Sequence, residues 1–132
     1  LRKSLLYVII LLFTVLVGCG SDKQIKGQSL SFFPDKVEVV EVAHLQGTLE
    51  KEWTISGDQL EKLRGWFDDL LLKEKETQNP LTDITGIEKY TFDFGKKYTK
   101  IIYLIGDGKE YLQVGDKEWY EIKNPSIPPV DK

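Results

Sequence analysis

Three rhythms of apolar positions run along the chain, and each predicts a different element. Residues 1–18 are almost continuously apolar, with a 13-residue run from Leu5 to Val17 softened only by Tyr7 and Thr14. Leu49, Lys51, Trp53 and Ile55 then alternate with Glu50, Glu52 and Thr54, the period of a half-buried strand. Leu60, Leu63, Trp66, Phe67, Leu70 and Leu71 recur at helical spacing and predict an amphipathic helix.

The elements around these follow from local chemistry. Val37 to Leu45 is rich in β-branched residues, and its phase slips at Val39-Val40, which predicts a bulge or a strand buried on both faces. Gln46-Gly47 joins it to the next strand as a hairpin. The helix is expected over Asp58–Lys75, with Ser56 as N-cap, Gln59 completing a capping box, and Lys73 and Lys75 facing the dipole at its end. Glu76 to Gly86 reads as a polar loop around Asn79-Pro80.

Four strands are expected after that loop. Tyr90, Phe92 and Phe94 alternate with Thr91 and Asp93, and Gly95-Lys96 suits a tight turn. Tyr98 to Ile105 is apolar on both faces and so reads as central. Turns at Gly106-Asp107-Gly108 and Gly115-Asp116 lead into Glu110–Val114 and Lys117–Ile122. The predicted order is β-β-α-β-β-β-β: an α+β domain whose antiparallel sheet carries one amphipathic helix on one face.

The 13-residue apolar run matches the core of a signal peptide, about 7–15 residues. It is shorter than the roughly 18–20 residues that span a bilayer. Arg2 and Lys3 precede it, and Leu16-Val17-Gly18-Cys19 closes it, followed by Gly20-Ser21-Asp22. Cys19 is the only cysteine, and the chain has no Met, so Leu1 is read as an alternative start codon.

Leu16-Val17-Gly18-Cys19 resembles the lipobox of bacterial lipoproteins. The resemblance covers residues 1 to about 21. It implies cleavage between Gly18 and Cys19, a diacylglyceryl group on the Cys19 sulfur, and a lipid-anchored protein on the extracytoplasmic face of the cell membrane. Two acyl chains hold stably where one is marginal. In length and layout the rest is similar to small Gram-positive lipoproteins of unknown function that pair a lipobox with a short α+β domain. The organisation expected is therefore a signal peptide over 1–18, a flexible tether over 19–31, one domain over 32–124 and an extended, Pro-rich tail over 125–132.

Charge and chemistry narrow the function. Residues 1–18 carry two bases and no acid, which leaves a formal charge of about −5 on the remainder. Nucleic acid is a poor partner for such a domain, since phosphate contacts need clustered Lys and Arg. With Cys19 lipidated, His44 is the one remaining residue of the soft metal-ligating types, and it lies inside an apolar strand. No catalytic residue, metal site or cofactor is expected; phosphate-loop and nucleophile-elbow motifs are absent.

Eight of the fifteen aromatic residues fall within the 31 positions from Tyr90 to Tyr120. A helix covers one sheet face, so Tyr98, Tyr103, Tyr111, Trp119 and Tyr120 form the candidate binding surface for an envelope protein, a peptide or a glycan. The competing expectation is that they pair across strands and complete the core. An alternative function is a small envelope hydrolase using the Glu50/Glu52 face, with Glu38 or Glu41 opposite, because paired carboxylates run glycosidase chemistry. A wet strand face is the simpler reading of those acids.

Overall fold

The computed structural model describes residues 24–80, 87–106 and 108–131. The signal peptide, Cys19 and Asp107 lie outside the described residues. The elements in chain order are β1 (Gln24–Lys26), α1 (Gly27–Leu30), β2 (Val39–Gln46), β3 (Leu49–Ser56), α2 (Asp58–Asp69), β4 (Leu71–Lys73), β5 (Glu88–Asp93), β6 (Ile101–Gly106), β7 (Lys109–Val114) and β8 (Glu118–Glu121).

Six strands make one antiparallel sheet in the order β3-β2-β5-β6-β7-β8. The chain therefore lays down a hairpin, crosses by α2 and returns beside β2 to begin a four-stranded meander. This is the α+β arrangement expected, with the two-stranded sheet β1-β4 added beside it.

Register decides which side chains share a face, because opposed residues of antiparallel strands point the same way. Val40 faces Ile55, Val42 faces Phe92, and Tyr90, Tyr103, Leu112 and Tyr120 form one row across four strands. Helix α2 covers this face with Leu60, Leu63 and Phe67, all buried. Phe67 meets Phe92 edge-on at 5.3 Å, and Trp66 meets Tyr103 edge-on at 5.4 Å. Such pairs add directional attraction to the area they bury. On the opposite face Leu104, Tyr111 and Trp119 form a second cluster, with Ile87 and Ile102 against it.

Several expected boundaries move, each for a tertiary reason. Residues 24–31 are not a flexible tether: β1 pairs with β4, and α1 packs on the last turn of α2. The amide of Gly27 donates to the Leu70 carbonyl at 2.8 Å. Helix α2 ends at Asp69 rather than Lys75. There Asn124 Nδ2 donates to the Asp69 carbonyl at 2.9 Å, and its Oδ1 accepts from the Leu71 amide at 2.7 Å. One side chain thus serves the last carbonyl of α2, which has no partner within the helix, and the first amide of β4. Beyond it, β4 finds its backbone partners in β1, and Lys73 lies in that strand.

The capping box is absent. Ser56 completes β3 opposite Val39, and Gly57 (φ 59°, ψ −129°) is the N-cap, without a side-chain hydrogen bond. That backbone geometry favours glycine. Gln59 instead donates to the Asp131 carbonyl at 3.0 Å.

A tight turn does form at Gly95, where φ is 113° and the Gly95 carbonyl accepts from the Tyr98 amide at 3.1 Å, but the connection around it is longer than expected: β5 ends at Asp93 and the chain reaches β6 only at Ile101. The C-terminal segment has no regular structure, as its prolines dictate, yet Val130 is buried in the main core.

Candidate functional site

The five aromatic residues expected at a contact surface separate. Tyr98, in the β5–β6 loop, is 39% exposed, whereas Tyr103, Tyr111, Trp119 and Tyr120 are at most 7% exposed. A broad aromatic platform is therefore a misreading of this sheet. Tyr103 and Tyr120 point to the face under α2 and join the main core. Tyr111 and Trp119 point the other way, where they pack with Leu104. The backbone of Glu76 also pairs with that of Trp119, bringing the segment after β4 alongside β8.

Tyr98 and Tyr120 nevertheless meet at one place. They line a groove of about 520 Å³ between residues 30–34 on one side and Lys97–Thr99 on the other. Phe32 lies edge-on to Tyr120 at 5.6 Å and adds a third aromatic wall. Ser31, at the rim, has φ 50°, the single positive φ among the described non-glycine residues. Such backbone is uncommon outside glycine and persists where surroundings hold it.

The polar rim of the groove is mixed in sign. Lys97 and Glu118 both line it. The Tyr120 hydroxyl donates to Glu118 at 3.4 Å, and Lys75 approaches Glu118 at 3.6 Å. Burial, and then the Glu118 charge, push the Tyr120 hydroxyl above its usual phenol range. That hydroxyl stays protonated and serves as a donor. Aromatic walls with one cation and one anion suit contact with an amphipathic ligand, and no nucleophile–base pair lines them.

Residues 30–34 went unrecognised as a site because 30 and 31 read as tether. The clue available in the sequence was Phe32-Phe33, two large apolar residues beside a segment expected to bury nothing.

His44 is a packed strand residue. Its Nε2 bonds Glu88 Oε1 at 2.7 Å, and its ring stacks on Tyr90 at 4.1 Å with 6° between planes. Tyr90 adjoins Tyr103, whose hydroxyl donates to Glu110 and lies 3.2 Å from the Ser126 carbonyl. Burial, and then the Glu88 charge, raise the Glu110 carboxyl above the usual range. The same two causes raise the Tyr90 hydroxyl. Among the described residues no three His, Cys, Asp or Glu side chains are grouped to hold a metal ion.

Glu50 and Glu52 are exposed on β3. With Glu41, Asp93, Lys89 and Lys100 they line an open groove of about 560 Å³ on the uncovered face of β3, β2 and β5. Lys100 approaches Asp93 at 3.7 Å. Alternating exposed acids form the solvated half of a strand.

Among the described residues no helix is long and apolar enough to cross a membrane. No protein-family model matches the chain, and none of the curated proteins or solved structures compared with it matches.

Proposed function

We propose that this chain is a lipid-anchored, extracytoplasmic lipoprotein whose domain is a non-catalytic binding module at the cell envelope. The anchor reading is supported by the apolar run ending at Gly18-Cys19. The binding reading is supported by the groove that gathers Phe32, Tyr98 and Tyr120 at the surface. Its partner is an envelope protein, peptide or glycan that buries an apolar group against those rings.

The anchor is tested by mass analysis of the protein from its native membrane. The expected N-terminus is Cys19 carrying a diacylglyceryl group; an unmodified Cys19, or a chain still bearing residues 1–18, overturns it. Binding is tested by crosslinking in intact cells with the wild type and Tyr98→Ala. The variant is expected to fold normally and lose its crosslinked partner, and undiminished crosslinking excludes the groove. The hydrolase alternative gains nothing from the exposed positions of Glu50 and Glu52.

A further inference from the structure

The Tyr103 hydroxyl has one hydrogen and faces two acceptors. It donates to Glu110 Oε2, and the Ser126 carbonyl lies 3.2 Å away. Ser126 belongs to the C-terminal segment, which is held at its other points by neutral hydrogen bonds. Trp66 Nε1 donates to Ser126 Oγ at 2.9 Å, Asn124 joins the end of α2, and Gln59 holds the Asp131 carbonyl. Ser126 is thus the point where the segment meets a titratable side chain.

We propose that Glu110 and Tyr103 form a proton-operated clasp on the C-terminal segment, with Glu110 protonation turning the Tyr103 hydrogen toward the Ser126 carbonyl. With Glu110 ionised, its carboxylate is the stronger acceptor and takes that hydrogen. The Ser126 carbonyl then goes without it. A proton from solvent converts Glu110 into a donor. Its O–H then bonds the Tyr103 oxygen, the phenol hydrogen rotates to Ser126, and no covalent bond other than Glu110 O–H forms or breaks.

The surroundings favour the exchange. Glu88 of β5 is the anion whose charge acts on Glu110, and Glu88 is itself paired with His44 of β2. Ile105 of β6 stands between Glu88 and Glu110 in register, Tyr90 and Tyr103 form the neighbouring row of the same face, and α2 contributes the neutral indole of Trp66. The neighbouring cation Lys109 is directed to Glu121 at 3.7 Å. Glu110 therefore meets an anion and burial, both of which favour taking up a proton.

The test is amide hydrogen exchange of the full chain in detergent micelles, expressed as protection factors so that intrinsic pH effects cancel. Moving from about pH 8 to below the ordinary carboxylate range, protection of the Val130 amide, which donates to the Pro128 carbonyl within the segment, is expected to rise roughly three- to tenfold relative to β6, the scale of one hydrogen bond. Glu110→Gln is expected to hold protection high at both pH values, and Tyr103→Phe to hold it low at both. His44 pairs with Glu88, the anion that acts on Glu110, so His44→Gln is the control and is expected to keep the pH step. The clasp is overturned by pH-independent protection in the wild type, by a step that survives Tyr103→Phe, or by a step that disappears in His44→Gln.

Discussion

Gly27 sits directly against the carbonyl of Phe67: a methyl group on its α-carbon would stand 1.9 Å from that oxygen. No side chain can enter that gap without moving backbone. Gly27→Ala is expected to lower stability by about 1–3 kcal/mol, the usual cost of overpacking a closed interface. Thermal unfolding of wild type and variant measures it, and an unchanged Tm would return residues 24–31 to the status of a passive tether.

Asn124 makes a sharper case, because its two hydrogen bonds can be removed separately. Asn124→Asp keeps an acceptor for the Leu71 amide and loses the donor to the Asp69 carbonyl, whereas Asn124→Ala loses both. Each bond contributes about 0.5–1.5 kcal/mol. Both variants are expected to fall below wild type, with Asp the lower, because its second carboxylate oxygen would stand against the Asp69 carbonyl at the negative end of the helix. Denaturant midpoints establish it, and equal stability for Ala and wild type would remove Asn124 as the reason that α2 stops.

The aromatic residues divide by burial. Trp119→Ala opens a hole in the second cluster and is expected to cost about 3–5 kcal/mol. Tyr98→Ala, at an exposed loop, is expected to stay within about 0.5 kcal/mol of wild type. Chemical unfolding separates these roles, and comparable losses at both positions would show that Tyr98 is structural.

Acid acts through two carboxyls of opposite sign. Glu121 is held below its ordinary value near 4.5 first by the Lys73 hydrogen bond and then by the charges of Lys73, Lys109 and Lys123, against the pull of burial. Its stabilisation is complete above that ordinary value and is lost as pH falls through the depressed one. Glu110 is raised, so the native state binds its proton more readily than the unfolded chain does. Its ionisation therefore disfavours the fold as pH rises from the ordinary value through the raised one. Glu121→Gln is expected to flatten the acid limb of a stability–pH curve, and Glu110→Gln to flatten the limb above it. Urea midpoints taken across the acid range check both, and unchanged curves would remove the assignment.

Much of the architecture follows from periodicity alone. The alternation in Leu49–Ile55, the helical spacing from Leu60 to Phe67 and the glycine-marked turns yield the hairpin, the helix and the meander. Each depends on contacts between near neighbours, and the side-chain period of the backbone writes those contacts into the sequence. The apolar run closing at Cys19 is equally local, as is the anchor reading built on it.

Other features came from partners distant along the chain. Leu70-Leu71-Leu72 continues a helix as readily as it forms a strand, and Asn124, more than fifty residues on, decides between them. Tyr103, Tyr111, Trp119 and Tyr120 read as surface or core with equal ease, because alternation assigns a face without saying what covers it. The groove exists because residues 30–34 return beside the β5–β6 loop, and the His44–Glu88 pair because register sets β5 next to β2. Local order determined which elements form; long-range closure, whose geometry no short window contains, decided where they stop and which side chains meet.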